Sequence, residues 1–404
     1  MRRLAKILSS ILALAAGALS AGLWYTSGPA ERQWPILIQQ ADGNLALSDE
    51  QGLIKPLTFD ADGQNMSYLF PAPAPDGRSV AAVAVQSSSF SNTASLIVVG
   101  VDGQRTTLFS NPERSPFYLS WSPDSAKIAF LTGTSTGMTL HAALTNGQES
   151  ARQIAPGQPS YFAWSPNSER LLLHIGGSAP EGGTLQLYEW GADDPQPLAV
   201  LPGGFQAPGW LPDGQQAFAV VAQDGATTLA RIDAKGAVQQ RLAEVDSSTL
   251  FVPAPDATHL AYISLGRSSS ELHVLRADGS DNRALATTTA VTCFWSPRGD
   301  RLAYLSVVTD DVQPTALRQR LPQLRWSVLD LPSGQVRDFA PFEPSLTFWS
   351  LLPFFDQYAQ SHRVWDSSGS RLLYADNDSV YSLDVTSGQT QRIAPGVLGL
   401  WMEQ

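Results

Sequence analysis

From residue 36 onward the chain is a succession of short apolar runs separated by polar turns. The runs include SLIVVG (95–100), IAFLT (128–132), TLQLYEW (184–190), ELHVLRA (271–277) and LAYLS (302–306). Their length and alternation fit strands better than helices. Glycine turns punctuate them at Asp102-Gly103, Asn146-Gly147, Lys235-Gly236, Asp278-Gly279, Ser333-Gly334 and Ser387-Gly388, and such dipeptides are strong short-range hairpin signals. The only long apolar run is at the start, Ile7 to Tyr25.

One phrase recurs within this pattern. YLSWSPDSAKIAFLT (118–132) returns as YFAWSPNSERLLLHI (161–175) and as VTCFWSPRGDRLAYLS (291–306). Aligned on its proline, the phrase occupies Pro75, Pro123, Pro166, Pro212, Pro255 and Pro297, at intervals of 42 to 48 residues, and a decayed copy places Ser367 in that slot. A period of about 40–50 residues with strand-like content indicates propeller blades. Each unit reads as a first strand ending at the tryptophan, a tight turn, and three further strands. The tryptophans Trp121, Trp164, Trp210, Trp295, Trp365 and Trp401 are expected to wedge between neighbouring blades, which cannot bury their faces alone.

The two termini complete one another. Residues 36–59 read as a blade without its first strand, and GVLGLWMEQ reads as a first strand without a blade. Pairing them closes the ring and removes its open edges. The expectation is an all-β propeller of eight four-stranded antiparallel blades occupying residues 31–404. Seven is the alternative if residues 36–59 pair differently.

The phrase WSPDG-x-x-[LI]-A-[FY] resembles the WD-type repeat of TolB-like propellers, over about residues 36–402. The same kind of propeller forms part of tricorn protease and of the dipeptidyl peptidases. The resemblance implies the fold. It implies little about function, because the phrase encodes blade geometry. Pro73 and Pro253 in the tryptophan slot, and Ser367 in the proline slot, are departures that point to irregular blades.

Composition narrows the function classes. The net charge is −11, and beyond residue 30 there are 37 acids against 23 bases. No basic stripe remains for a nucleic-acid backbone. The leader carries Arg2, Arg3 and Lys6 ahead of its apolar run, close to the length a helix needs to span a bilayer. It reads as a signal anchor (1–30) with Trp24-Tyr25 at its outer end, or as a cleaved signal with Ala18-Leu19-Ser20 at the cut. Either reading places the propeller outside the cytoplasm: anchored at the cell envelope, in the periplasm or at the cell surface, or secreted if the leader is cleaved. Cys293, the only cysteine, stands in an apolar strand and reads as a buried thiol.

Little catalytic chemistry is legible. Gly133-Thr134-Ser135-Thr136-Gly137 matches the G-x-S-x-G nucleophile pattern, but MTLHAAL after it alternates as a strand where that motif needs a helix. The five histidines show no metal-ligand spacing, and neither a metal nor a cofactor is expected. The break in the period, about 341–362, is rich in aromatics: Phe342, Phe348, Trp349, Phe354, Phe355 and Tyr358. It reads either as a plug packed on the propeller or as a partner-binding lip. The candidate binding residues are Phe355, Asp356, Gln357, Tyr358, His362 and Arg363, with Tyr118 and Tyr161 of other inner strands near the same channel mouth. The expected function is a non-catalytic binding module for a protein or peptide partner. The alternatives are a scaffold subunit of a membrane complex and a propeller hydrolase or lyase.

Overall fold

The computed structural model describes residues 33–402, except 89–91, 135–136, 158–159, 177–182, 205, 266–269, 309–320 and 359–360. The leader, and with it the expected anchor, lies outside the described residues. Among the described residues no helix is long and apolar enough to cross a membrane.

Eight antiparallel sheets form the propeller. Blade 1 comprises Met66–Pro73, Ser79–Ser87, Asn92–Gly100 and Arg105–Asn111. Blade 2 runs from Ser115–Trp121 to Arg152–Pro156, blade 3 from Ser160–Trp164 to Gln196–Pro197, and blade 4 from Leu201–Pro202 to Val238–Glu244. Blade 5 runs from Thr249–Pro253 to Arg283–Thr288, and blade 6 from Ala290–Trp295 to Gln335–Phe342. Blade 7 has the strands Arg371–Asp376, Ser379–Asp384 and Thr390–Pro395. Blade 8 is built from both termini: Leu398–Trp401 is its inner strand, pairing with Ile36–Gln39 in the register Ile36↔Trp401 to Gln39↔Leu398. The count is eight, as the complementary ends predict.

The Trp-Ser-Pro phrase is explained by what each residue touches. The fifth residue of every copy has a positive φ: Gly77 (68°), Ser125 (60°), Ser168 (64°), Gly214 (62°), Ala257 (52°), Gly299 (70°) and Gly369 (67°). That left-handed conformation closes the turn into the second strand. The serine hydroxyl accepts the backbone N–H five residues on, from Lys127 to Ser122, Arg170 to Ser165 and Arg301 to Ser296. In the decayed copy Asp366 takes over, accepting from the N–H groups of Ser370 and Arg371. The six glycines expected between third and fourth strands also take positive φ, from 67° to 86°.

Tryptophan stitches the blades together. Trp121, Trp164, Trp210, Trp295 and Trp365 each donate the indole N–H to an inner-strand carbonyl of the preceding blade, at 2.9 to 3.1 Å. Trp401 is buried, and among the described residues its indole N–H meets no acceptor. Six residues after the tryptophan, a basic side chain reaches into the following blade. Lys127 donates to the carbonyl of Ser168, Arg170 to that of Gly214 and Arg301 to that of Gly369, while Arg371 forks onto Glu50.

Two inner strands are broken. In blade 4, Leu201–Pro202 and Gly209–Trp210 both pair with Gln216–Gln223, leaving a loop between them. A side chain on Gly203 or Gly204 would meet backbone atoms at 2.6 Å, so the loop is held too tightly for other residues. In blade 7 the inner position is filled in two pieces, bridged as Pro344↔Asp376 and Trp365↔Leu372. The aromatic insertion therefore leaves from the middle of blade 7's inner strand.

Candidate functional site: a plugged central channel

The inner strands surround a central channel, and the insertion crosses it. Ser345 caps the helix Leu346–Leu351 by accepting the N–H of Phe348. A 3-10 turn, Leu352–Phe354, and a short helix, Phe355–Tyr358, follow. Asp356 and Gln357 pin this segment to the neighbouring blades 4 and 3. The carboxylate of Asp356 accepts the N–H of Ala207 in the broken inner strand of blade 4 at 2.8 Å. The amide of Gln357 engages both backbone groups of Phe162 in blade 3, accepting from N at 3.3 Å and donating to O at 3.2 Å. Inner strands have an unpaired edge, and these side chains supply partners for it.

Asp356 and Gln357 are buried, 1% and 3% exposed, and they engage the chain's own backbone rather than a surface ligand. Burial pushes the Asp356 carboxyl up to about 6, against the opposing effect of the N–H groups it accepts. The backbones of Phe355 and Tyr358 are helical; their side chains lie outside the described residues. Tyr118, buried and with a positive φ of 60°, stands beside the plug's attachment, 5.5 Å edge-on to Phe162 and 6.5 Å from Tyr161.

His362 and Arg363 begin the second half of blade 7's inner strand, three and two residues before Trp365. Arg363 donates to the carbonyls of Ala74 in blade 1 and Met402 beside blade 8. His362 is buried, and burial depresses its imidazole to about 3.

On the loop face, the plug is flanked by two apolar grooves. One, about 460 Å³, runs between Trp349, Leu352 and Pro353 of the insertion and Leu250, Leu265 and Val291 of blades 5 and 6. The other, about 300 Å³, lies between Leu346 and Leu351 and the bulged strand at Leu69, Phe70 and Pro71. On the turn face a cleft of about 400 Å³ lies at the ends of the inner strands of blades 5, 6 and 7. Sequence reasoning missed Leu346 and the prolines of this cleft. The signals were present in the lone leucine after a capping serine and in the two departures from the repeat, Pro253 and Ser367.

The G-x-S-x-G pattern falls at a hairpin. Lys127–Thr134 and Gly137–Leu144 pair directly across it, and Ser135 lies outside the described residues. Among the described residues no group of three or more metal-ligating side chains converges. Cys293 is buried, and burial raises its thiol pKa.

No family model matches the sequence, and no curated protein matches it. Among solved structures the chain is similar to a eukaryotic initiation factor, at 11% identity and a TM-score of 0.53, covering 92% of this chain and 99% of that one. It is also similar to a prolyl endopeptidase, at 15% identity and a TM-score of 0.52, covering 89% of this chain and 54% of that one. TolB from Acinetobacter baumannii is similar at 16% identity and a TM-score of 0.38, with 63% of this chain and 64% of that chain covered. The chain thus spans less than two thirds of the length of that TolB and about half that of the endopeptidase. The likenesses to the initiation factor and the endopeptidase support the propeller fold alone.

Proposed function

We propose that this propeller is a non-catalytic binding module at the cell envelope, held there by its leader and engaging a protein partner across its loop face. The observation that carries the reading is the apolar rim around the plug. Leu346 is 72% exposed, Phe354 47%, Leu265 45% and Leu69 36%, and neither adjoining groove is lined by a charged residue. Contiguous exposed apolar surface with polar surroundings marks interaction sites. A protein partner fits better than a small molecule, because the plug occupies the channel where a small ligand would be enclosed.

The test is quantitative capture from detergent-solubilised native membranes with the tagged full-length protein. The double variant Leu346→Asp, Phe354→Asp replaces two exposed side chains, so it should melt like the wild type while losing the captured partner. Capture undiminished by both aspartates would move the binding surface elsewhere.

A further inference from the structure

The groove between the helix Leu346–Leu351 and the bulged strand of blade 1 has apolar walls and a partly polar floor. Leu346 and Leu351 stand on one side, Leu69, Phe70 and Pro71 on the other. Gln39 and Leu398, paired strand ends of blade 8, lie between them. Gln39 is 4% exposed. Its amide nitrogen donates to the carbonyl of Tyr68 at 2.9 Å, which sets the orientation of the amide. The amide oxygen then meets no donor among the described residues. A buried acceptor without a donor is costly, so the floor favours an occupant that brings an N–H group.

The borders of this groove are acidic. On the blade 7 side, Asp376 bridges to Pro344, the residue before the helix cap Ser345. The carbonyl of Asp378 accepts the N–H of Gly396, two residues before Leu398. Burial, and beyond it the like charge of Glu343, raise the Asp376 carboxyl. On the side of blades 8 and 1, a Cβ on Gly63 would lie 3.6 Å from Cα of Asp42, so Asp42 and Asp62 are neighbours. The carbonyl of Gly43 accepts the N–H of Tyr68, next to Leu69. The connections around the groove, 40–44, 57–65, 87–92, 343–345, 376–379 and 395–397, hold six acids and no lysine or arginine. Arg105 on Asp60 and Arg392 on the Ser379 hydroxyl offset part of this charge from adjoining strands.

We infer that this groove takes a basic segment of a partner protein, with an aliphatic or aromatic side chain between Leu346 and Leu69 and lysine or arginine flanks facing Asp42, Asp62, Asp376 and Asp378. An N–H of the same segment meets the Gln39 oxygen. Complementary charge of this kind steers encounter and rejects wrong partners. The assignment rests on the reading of the loop face as a partner surface, and it names the chemistry that the surface holds.

The probe is a phage-displayed library of random peptides, panned on the full-length protein in detergent at low ionic strength, where surface charges are least screened. Leu346 is 72% exposed, so Leu346→Gln should fold as the wild type does. Sequences retained by the wild type and lost on Leu346→Gln are those that use the groove. They should pair an aliphatic or aromatic residue with a net positive charge. The double variant Asp42→Ser, Asp378→Asn removes two charges while leaving acceptors for the N–H of Asn44 and the hydroxyl of Ser379. In fluorescence-anisotropy titrations it should bind the resynthesised peptides about fivefold more weakly, the scale of two screened surface charges. Groove-dependent sequences that are neutral or acidic overturn the assignment, as does undiminished affinity in the double variant. The absence of any Leu346-dependent sequence overturns it too. Native capture is a separate measurement. A partner lost on Leu346→Asp, Phe354→Asp alongside neutral groove peptides would leave the partner surface standing and remove only its basic ligand.

Discussion

The indole N–H of Trp365 donates to the carbonyl of Phe294 at 3.0 Å, from blade 7 back to blade 6. Four other tryptophans repeat this bond around the ring, each reaching the residue just before the tryptophan slot of the blade behind. The phrase recurs because one residue type does two things at each junction: it fills the wedge between twisted sheets and gives a partner to an inner-strand carbonyl. Where proline replaces it, at Pro73 and Pro253, the junction lacks the bond.

Trp121 and Trp164 are each 7% exposed. Their replacement by alanine should cost about 3–5 kcal/mol, as for other large-to-small core changes. Trp164→Phe should cost less, with about 1 kcal/mol of the loss assignable to the carbonyl of Ser120 left without its donor. Chemical denaturation of the three variants measures this directly. Little loss at either alanine variant would mean that the rings do not wedge the blades.

Closure by the termini carries a different signature. Removing residues 397–404 deletes the inner strand of blade 8 and uncovers the edge of Ile36–Gln39, all four of whose residues are buried. The truncated protein should aggregate or lose its cooperative unfolding transition, because an exposed apolar edge templates pairing. A truncated protein melting like the full chain would show that the ring does not depend on this strand.

Arg371 fastens the same junction from outside. It forks onto Glu50 at 2.7 and 2.8 Å and stacks over Trp401 at 5.0 Å from the ring centroid. Glu50 is partly exposed, so solvent screening limits the pair to about 0.5–1 kcal/mol. A double-mutant cycle with Arg371→Ala and Glu50→Ala should return a coupling of that size. Arg371→Lys should lose most of it, since an ammonium cannot reproduce the fork. A zero coupling would assign the contribution of Arg371 to its contacts with Asp366 and Trp401.

Much of the fold is legible in the sequence because the inner strands, turns and tryptophans repeat at one spacing. The basic side chain six residues after the tryptophan was also visible, at Lys127, Arg170, Arg301 and Arg371, but its target lies one blade away. The plug was harder to read. Asp356 finds Ala207 across 149 residues and Gln357 finds Phe162 across 195, and no local pattern encodes such pairings. The aromatic insertion announced itself by breaking the period. That it splits blade 7's inner strand follows only from the bridges of Pro344 and Trp365, which depend on strands downstream.

Asp356 and His362 set opposing pH dependences on the plugged channel. The Asp356 carboxyl is raised from 3.8 to about 6. Its contribution to stability is therefore fully present below pH 3.8 and lost as pH rises through 6. The His362 imidazole is lowered from 6.5 to about 3, so the fold favours its neutral form. That contribution is present above pH 6.5 and lost as pH falls toward 3. Each shift corresponds to a few kcal/mol, at about 1.4 kcal/mol per pKa unit. Between about pH 6.5 and 4.5 the two effects run in opposite directions and largely cancel. Asp356→Asn should unmask the histidine, giving a protein whose melting temperature falls on acidification relative to the wild type. His362→Gln should unmask the carboxyl, so that the melting temperature rises across the same window. Thermal melts of the three proteins at pH 6.5, 5.5 and 4.5 test this pair of slopes. If both variants track the wild type at every pH, neither group titrates differently in the folded channel, and Asp356 does not hold the plug as a buried carboxyl.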